Sequence, residues 1–269
     1  MALQVLSIAL LCLYALAAAM YADALLRGLD KVHQHAKRTL QLALVVHASS
    51  ILLTVTLNRA FRLDVGFALS AISLLLGATY LLTAWIRPRL SSLGAFIIPV
   101  VLILHAASEL VRDNVGLDPR VGHPLLAFHV AVNVLGLVAF VLAFAVSVAY
   151  LIQETMLRRK SLGALFQRLP DLHVLDNLVL LHVTLGFPLL TLGIITGAMW
   201  SYRVHHSWFV LTNGQVFAFL AWGCFAAVLV LRLAVGWRGR RAAIGTMIGF
   251  ACSMLVVVGY MLRGAGLGP

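Results

Sequence analysis

Long apolar runs separated by short polar connections dominate the sequence from end to end. A helix of about 20 apolar residues crosses the hydrocarbon core of a bilayer, and eight runs come close to that length. Their approximate limits are 3–26, 39–57, 66–85, 94–109, 124–152, 177–199, 213–233 and 242–262. Hydrophobic residues make up 62% of the chain and charged residues 11%, which excludes a water-soluble globular fold. We therefore expect an all-α, polytopic membrane bundle of about eight helices, with residues 1–269 as a single membrane domain.

The first run, 3–26, has no basic leader and no small-residue cleavage site. Because a secretory signal peptide carries both features, we expect this run to be a retained helix.

The basic residues follow an alternating pattern along the connections. The odd-numbered connections and their flanks hold fourteen of the 20 Lys and Arg residues: Arg27, Lys31, Lys37, Arg38, Arg87, Arg89, Arg158, Arg159, Lys160, Arg168, Arg232, Arg238, Arg240 and Arg241. The even-numbered connections and the C-terminal segment hold Arg59, Arg62, Arg112, Arg120, Arg203 and Arg263. The positive-inside rule places the odd connections in the cytoplasm and both termini outside. The net charge of +11 then indicates contact with anionic lipid headgroups and no nucleic-acid partner.

Three cysteines, Cys12, Cys224 and Cys252, lie singly inside predicted spans. No Cys-x-x-Cys pair is present, and a buried cysteine usually packs as a small apolar residue. The sequence therefore argues against thiol–disulfide chemistry.

Four histidines lie inside the spans: His47, His105, His129 and His182. At a rise of about 1.5 Å per residue, His47 and His182 lie roughly 12 and 8 Å from the cytoplasmic starts of their spans. The other two lie about 6 to 8 Å below the outer face by the same rise. Two histidines facing each other across a bundle can supply the two axial ligands of haem iron. The inner level of the membrane therefore offers one possible pair, His47 with His182, and the outer level offers another, His105 with His129. The alternative is that each histidine only hydrogen-bonds a neighbouring helix.

Polar residues and glycines recur at helical spacing in the spans that carry these histidines. His47 shares one helical face with Ser50 and Thr54, and Asn133 follows His129 at i+4. Gly193 and Gly197 form a small-xxx-small pattern, which lets a neighbouring membrane helix approach closely. Polar residues at membrane depth face protein or a cavity. The face of His47, Ser50 and Thr54 and the pair of His129 and Asn133 are therefore both candidates for function.

Outside the spans, His33 and His35 lie in a basic connection that we expect to be a solvated loop. The segment SYRVHHSWFVLTNG, between spans six and seven, is predicted to be an outer loop with His205 and His206. Trp200, directly before this segment, and Trp208, within it, are interpreted as interfacial anchors.

The run LPDLHVLDNLVLLHVTLGFPLLTLGIITGAMW and the later GWRGRRAAIGTMIGF resemble the cytochrome c assembly family of CcsA, CcmC and HemX type. The similarity is greatest to its smaller, YpjD-like, eight-span inner membrane branch. The resemblance implies haem handling in a bacterial inner membrane, alongside other membrane proteins of cytochrome c maturation. It also implies that His129 corresponds to the first outer histidine of the family, and that His47 lies where the smaller members have a span-two histidine.

The sequence departs from the haem-handling members at three places. MWSYRVHHSWFVLTNG stands where they have a WGxxWxWD motif, Val230 stands where they have a histidine, and the tail YMLRGAGLGP lacks their second outer histidine. His205 and His206 are possible replacements for that outer ligand.

Two functions are compatible with this pattern. We expect a haem-binding accessory of cytochrome c maturation, with His129, His47, His182 and His105 as candidate cofactor-binding residues and His129 and His47 as candidate iron ligands. The alternative is a non-catalytic partner of a transporter or complex that has kept the fold and lost the haem ligands. No catalytic acid–base pair or nucleophile is recognisable in the sequence, so we do not expect an enzyme.

Overall fold

The computed structural model describes residues 2–58, 65–111, 123–210 and 212–264. Within these ranges the chain forms α-helices and one short 3₁₀-helix, Pro88–Leu93. The α-helices are α1 (Ala2–Arg27), α2 (Asp30–Asn58), α3 (Val65–Ile86), α4 (Gly94–Val111), α5 (Pro124–Arg158), α6 (Ala164–Arg168), α7 (Leu172–His205), α8 (Asn213–Ala234) and α9 (Arg240–Gly264). Eight helical segments among the described residues have the length and hydropathy to cross a membrane, which confirms the predicted all-helical membrane fold.

Three helices extend beyond the apolar runs from which they were predicted. Helix α2 begins at Asp30, so His33 and His35 lie on a helix and the prediction of a loop there was wrong. Helix α5 continues to Arg158, and α7 continues to His205. The predicted outer loop after span six is therefore partly helical, and its helical part includes Trp200. Polar ends are compatible with these longer helices because they lie beyond the apolar core and can be solvated.

The long helices pack in two groups of four. Helices α1–α4 pack on one another, and so do α5, α7, α8 and α9. The groups meet mainly where α3 and α4 contact α5. A buried apolar cluster runs through both groups, from Leu10 and Tyr14 of α1 to Phe250 of α9. The most extensive pairing, between α5 and α7, forms the frame of the candidate site.

The turn GWRGR joins α8 to α9 through two residues in the left-handed region, Gly236 (φ 72°) and Gly239 (φ 66°). A side chain at Gly239 would also come within 2.5 Å of the Tyr150 hydroxyl. The Gly239 amide donates to a carboxylate oxygen of Asp176 at 2.8 Å. The turn therefore closes on the start of α7, and the two stretches that carry the family resemblance contact each other.

Asp176 also forms a bidentate ion pair with Arg232 of α8. The guanidinium donates to the two carboxylate oxygens at 3.0 and 2.7 Å, and the side chains are 6% and 11% exposed for the arginine and the aspartate. Nearby, Glu154 of α5 pairs with Arg158 at 2.8 Å and with Arg240 at 3.2 Å. These contacts join α5, α7, α8 and α9 at the end of the bundle where the basic residues collect.

The sidedness of the bundle stays a prediction. Arg59, Arg62, Arg112 and Arg120, which contributed to it, lie outside the described residues. Arg168, in the connection between α5 and α7, donates to the carbonyls of Leu25 and Leu26 at the end of α1. Two of the connections predicted to be cytoplasmic therefore lie at the same end of the molecule.

Candidate functional site

Two glycines of α7 let α5 come close enough to place polar side chains against the α7 backbone. A Cβ at Gly193 would come 2.5 Å from the Asn133 side-chain oxygen, and one at Gly197 would come 3.0 Å from the His129 ring. The predicted small-xxx-small approach at these glycines is present in the structure. Because His129 and Asn133 are one turn apart on α5, the two glycines accommodate them together.

Hydrogen bonds fix the orientation of the His129 ring. Its Nδ1 lies 3.1 Å from the Thr196 hydroxyl oxygen, and that hydroxyl already donates to the Leu192 carbonyl at 2.7 Å. Thr196 therefore accepts from Nδ1–H, which assigns the neutral tautomer with its lone pair on Nε2. The Asn133 amide donates to the His129 carbonyl at 2.7 Å, and its nitrogen also lies 3.3 Å from Nδ1 and 3.4 Å from Nε2 of the ring. A ring held in this way by the nitrogen that does not bind metal is the usual arrangement of a histidine ligand.

His129 lines a cavity of about 590 Å³ between α3, α5, α7, α8 and α9. This volume falls within the range of about 300–1,000 Å³ that is typical of small-molecule sites. The wall is mainly apolar, with Leu69, Phe140, Leu190 and Phe219 among its residues. Asn133, Gln215 and Ser253 add a few polar groups. The cavity suits a ligand with a large apolar body that makes one contact to an imidazole.

Residues at the end of α7 surround one end of the cavity. Trp200 and Ser201 line it, and so does His205, whose side chain is exposed. His205 lies eight residues beyond Gly197, about 12 Å along the helix, whereas His129 contacts Gly197 itself. The two imidazoles therefore lie at different depths, with His129 inside and His205 at the mouth. His206 caps α7 in the left-handed conformation.

A histidine that we did not predict, His123, also lies at this end. Its ring accepts from the Leu125 amide and caps α5, and it lies 5.7 Å from the Trp200 ring between centroids. The sequence signal was its position directly before Pro124, since proline favours the first turn of a helix and leaves the preceding residue as the cap.

The remaining intramembrane histidines pair differently from the two levels that we predicted. His47 and His105 lie against each other in the first group of helices, with ring centroids 4.6 Å apart. Both are buried, with 0% and 2% of their surface exposed. His47 thus meets the histidine that we placed at the outer level, and the possible pair of His47 with His182 is not formed, because His182 lies on α7 in the other group of helices.

Hydrogen bonds engage both ring nitrogens of His47. Nδ1 lies 2.9 Å from the Tyr14 hydroxyl and Nε2 lies 2.8 Å from the Ser70 hydroxyl. Tyr14 also packs edge-on against His105, with ring centroids 5.7 Å apart. An iron ligand needs a lone pair directed at the metal, and here both nitrogens of His47 face hydroxyl groups instead. This arrangement favours interhelical hydrogen bonding by His47 over iron ligation.

His182 lies apart from the cavity wall. Its ring is partly buried, and Nδ1 hydrogen-bonds the Leu178 carbonyl of its own helix at 2.7 Å. Of the four candidate histidines, the structure therefore brings His47 and His105 together and places His129 in the cavity. Among the described residues, no group of three or more His, Cys, Asp and Glu side chains forms a metal-binding cluster.

Comparison with known proteins identifies the family of the chain. The profile of the cytochrome C assembly protein family matches residues 36–267. This chain belongs to that family. The cytochrome c biogenesis protein CcsA of Mesostigma viride is 27% identical over 204 residues, which cover 66% of this chain and 67% of that protein. CcsA of Trichodesmium erythraeum is 40% identical over 101 residues, covering 38% of this chain and 29% of that protein.

The match to CcsA of Nostoc sp. is similar, with 41% identity over 101 residues and 29% of that protein covered. These two alignments thus cover less than a third of each cyanobacterial relative, whereas the match to CcsA of Prochlorococcus marinus subsp. pastoris, at 28% identity over 197 residues, covers 63% of that protein. No solved structure matches the chain.

Proposed function

We propose that this protein is a haem-handling accessory of cytochrome c maturation in the bacterial inner membrane, and that His129 binds the haem iron. The observation that carries the proposal is the mainly apolar cavity of about 590 Å³, which has the His129 imidazole in its wall. The biogenesis role of its CcsA relatives supports it. Membrane lipid, haem and other membrane proteins of cytochrome c maturation are the proposed partners.

The residues around the cavity fit haem in their chemistry. A porphyrin has an apolar body and two carboxylate arms, and the cavity has an apolar wall with polar groups at Asn133, Gln215 and His205. Thr196 holds the His129 ring by Nδ1, and Nε2 would bind iron in exchange for its 3.4 Å contact with the Asn133 amide. Haem would supply the redox and ligand chemistry of its iron. The chain would bind and orient it, and exclude water, by a wall built from five helices.

We propose a binding role and not a catalytic one. The titratable side chains of the cavity wall are His129 and His205, and these lie at different depths. They do not form an acid–base pair within hydrogen-bonding distance, which general acid–base catalysis requires.

Haem titration of the detergent-purified protein tests the proposal. We expect a Soret band that saturates with one haem per chain, and we expect His129→Ala to abolish it. His182→Ala is the matched control, because His182 is also a partly buried histidine in a membrane helix but lies outside the cavity wall; it should keep the band. A colourless protein, or a Soret band that survives in His129→Ala, would contradict the proposal. Either result would favour the alternative of a membrane partner that has lost the haem ligands.

A further inference from the structure

Helices α8 and α9 pack closely because glycines of α9 face larger residues of α8. A Cβ at Gly245 would come 2.7 Å from the Val228 side chain, and one at Gly249 would come 3.0 Å from the Phe225 ring. The later residue of α9 contacts the earlier residue of α8. The two helices are therefore antiparallel neighbours, in a register that pairs 228 with 245 and 225 with 249.

This register brings two cysteines together. Cys224 lies one turn before Val228 on α8, and Cys252 lies three residues after Gly249 on α9, so both belong to the facing surfaces. The register places the two side chains near each other between α8 and α9, and both residues are partly buried. The sequence, in which each cysteine lies singly inside its span, did not show this proximity, because 27 residues separate the two along the chain and only the packing of α8 on α9 brings them together.

The third cysteine lies elsewhere. Cys12 is on α1, in the other group of helices, and is exposed. Among the described residues no third Cys, His, Asp or Glu joins the pair to form a metal-binding cluster. Two neighbouring thiols without further ligands favour disulfide formation over metal binding.

The pair adjoins the wall of the cavity. Ala221 of α8 and Ser253 of α9 both line it, and they lie one turn from Cys224 and next to Cys252. A covalent bond between the cysteines would fix the spacing of α8 and α9 at this wall.

We propose that Cys224 and Cys252 form a redox-active dithiol that oxidises to an interhelical disulfide. The two thiols lose two protons and two electrons as the S–S bond forms. A lipid-soluble quinone is the oxidant that the location requires, and it takes up both protons and both electrons to become a quinol. Closely packed helices allow the short Cα separation, about 4.4–6.8 Å, that a disulfide needs.

Oxidation of purified protein by a fully ring-substituted benzoquinone tests this proposal, since such a quinone accepts electrons but has no ring position for thiol addition. The Cys12→Ser variant isolates the pair. Before oxidation it should take up two maleimide labels per chain after unfolding. After oxidation it should take up none, and its intact mass should fall by two hydrogen atoms. Reduction with dithiothreitol should restore both labels.

Two control variants fix the assignment. Cys224→Ser and Cys252→Ser, each made in the Cys12→Ser background, should keep their single label and show no loss of mass. If the Cys12→Ser protein keeps both labels after oxidation, or if it forms only disulfide-linked dimers on a non-reducing gel, the proposal is wrong. These readouts do not require haem, so they are independent of the proposed haem-binding function.

Discussion

The position of the His129 imidazole depends on the absence of side chains opposite it. Gly197 leaves room for the ring, Gly193 leaves room for Asn133, and Thr196 holds Nδ1. The sequence alone showed the glycine pattern and the i, i+4 spacing of His129 and Asn133, and both were informative. It did not show that the two patterns face each other, because periodicity along one helix carries no information about its neighbour.

Substitution of Gly197 tests this arrangement. We expect Gly197→Leu to displace the His129 ring, since the first side-chain carbon alone would lie 3.0 Å from it. The Soret absorbance of the haem-titrated protein should fall at least tenfold. Gly223→Ala is the control, because a Cβ there meets nothing within 4 Å, and it should leave the absorbance unchanged. Equal Soret bands in the two variants would show that the glycine does not position the ring.

His47 allows a distinction between a packing histidine and a ligand. We expect His47→Phe to keep the Soret band and to lower stability by about 1–3 kcal/mol, because it leaves the buried Tyr14 hydroxyl and the partly buried Ser70 hydroxyl without their imidazole partner. Thermal unfolding in detergent and the haem titration measure the two effects. Loss of the Soret band in a folded His47→Phe protein would instead identify His47 as an iron ligand.

The sequence of the connection between α8 and α9 accounts for its backbone conformation. GWRGR places glycine at both left-handed positions, and the turn presents the Gly239 amide to Asp176. The charged residues of this stretch predicted a cytoplasmic turn, but not that Arg232 would be buried with Asp176. An arginine and an aspartate 56 positions apart are linked only when α7 and α8 pack, and no local pattern records that contact.

Removing one partner of this ion pair should be costly. Asp176→Ala leaves the Arg232 guanidinium buried without its carboxylate, and breaking a buried pair in this way costs about 3–5 kcal/mol. Asp176→Ala combined with Arg232→Met should recover much of that loss, because it removes the uncompensated charge. Asp171→Ala, at an exposed position five residues earlier, is the control. The comparison is made by unfolding in detergent, and a double variant no more stable than Asp176→Ala would contradict this account.

Across the whole molecule, the number of membrane helices was predictable and the grouping of helices was not. Eight apolar runs are visible in the sequence because each must satisfy the hydrocarbon core. Helix ends extended past those runs, as at Asp30 of α2, because polar residues continue a helix outside the apolar layer. The partners of His47, which are Tyr14 of α1, Ser70 of α3 and His105 of α4, depended on the packing of α1–α4 as one group.

The orientation of this bundle is the remaining prediction from the distribution of charge, and labelling of two exposed sites tests it. In a variant whose three cysteines are replaced by serine, Gly163→Cys places a thiol between α5 and α7, where a side chain meets nothing within 4 Å. Ser207→Cys places one beyond the end of α7, at an exposed residue. Because the connection at Gly163 carries Arg158, Arg159, Lys160 and Arg168, the positive-inside rule places it in the cytoplasm.

A membrane-impermeant maleimide should therefore label Ser207→Cys in intact spheroplasts, and label Gly163→Cys only after the membrane is opened. The reverse pattern would place the mouth of the cavity, with Trp200 and His205, on the cytoplasmic side, and any haem that the cavity binds would then exchange with the cytoplasm.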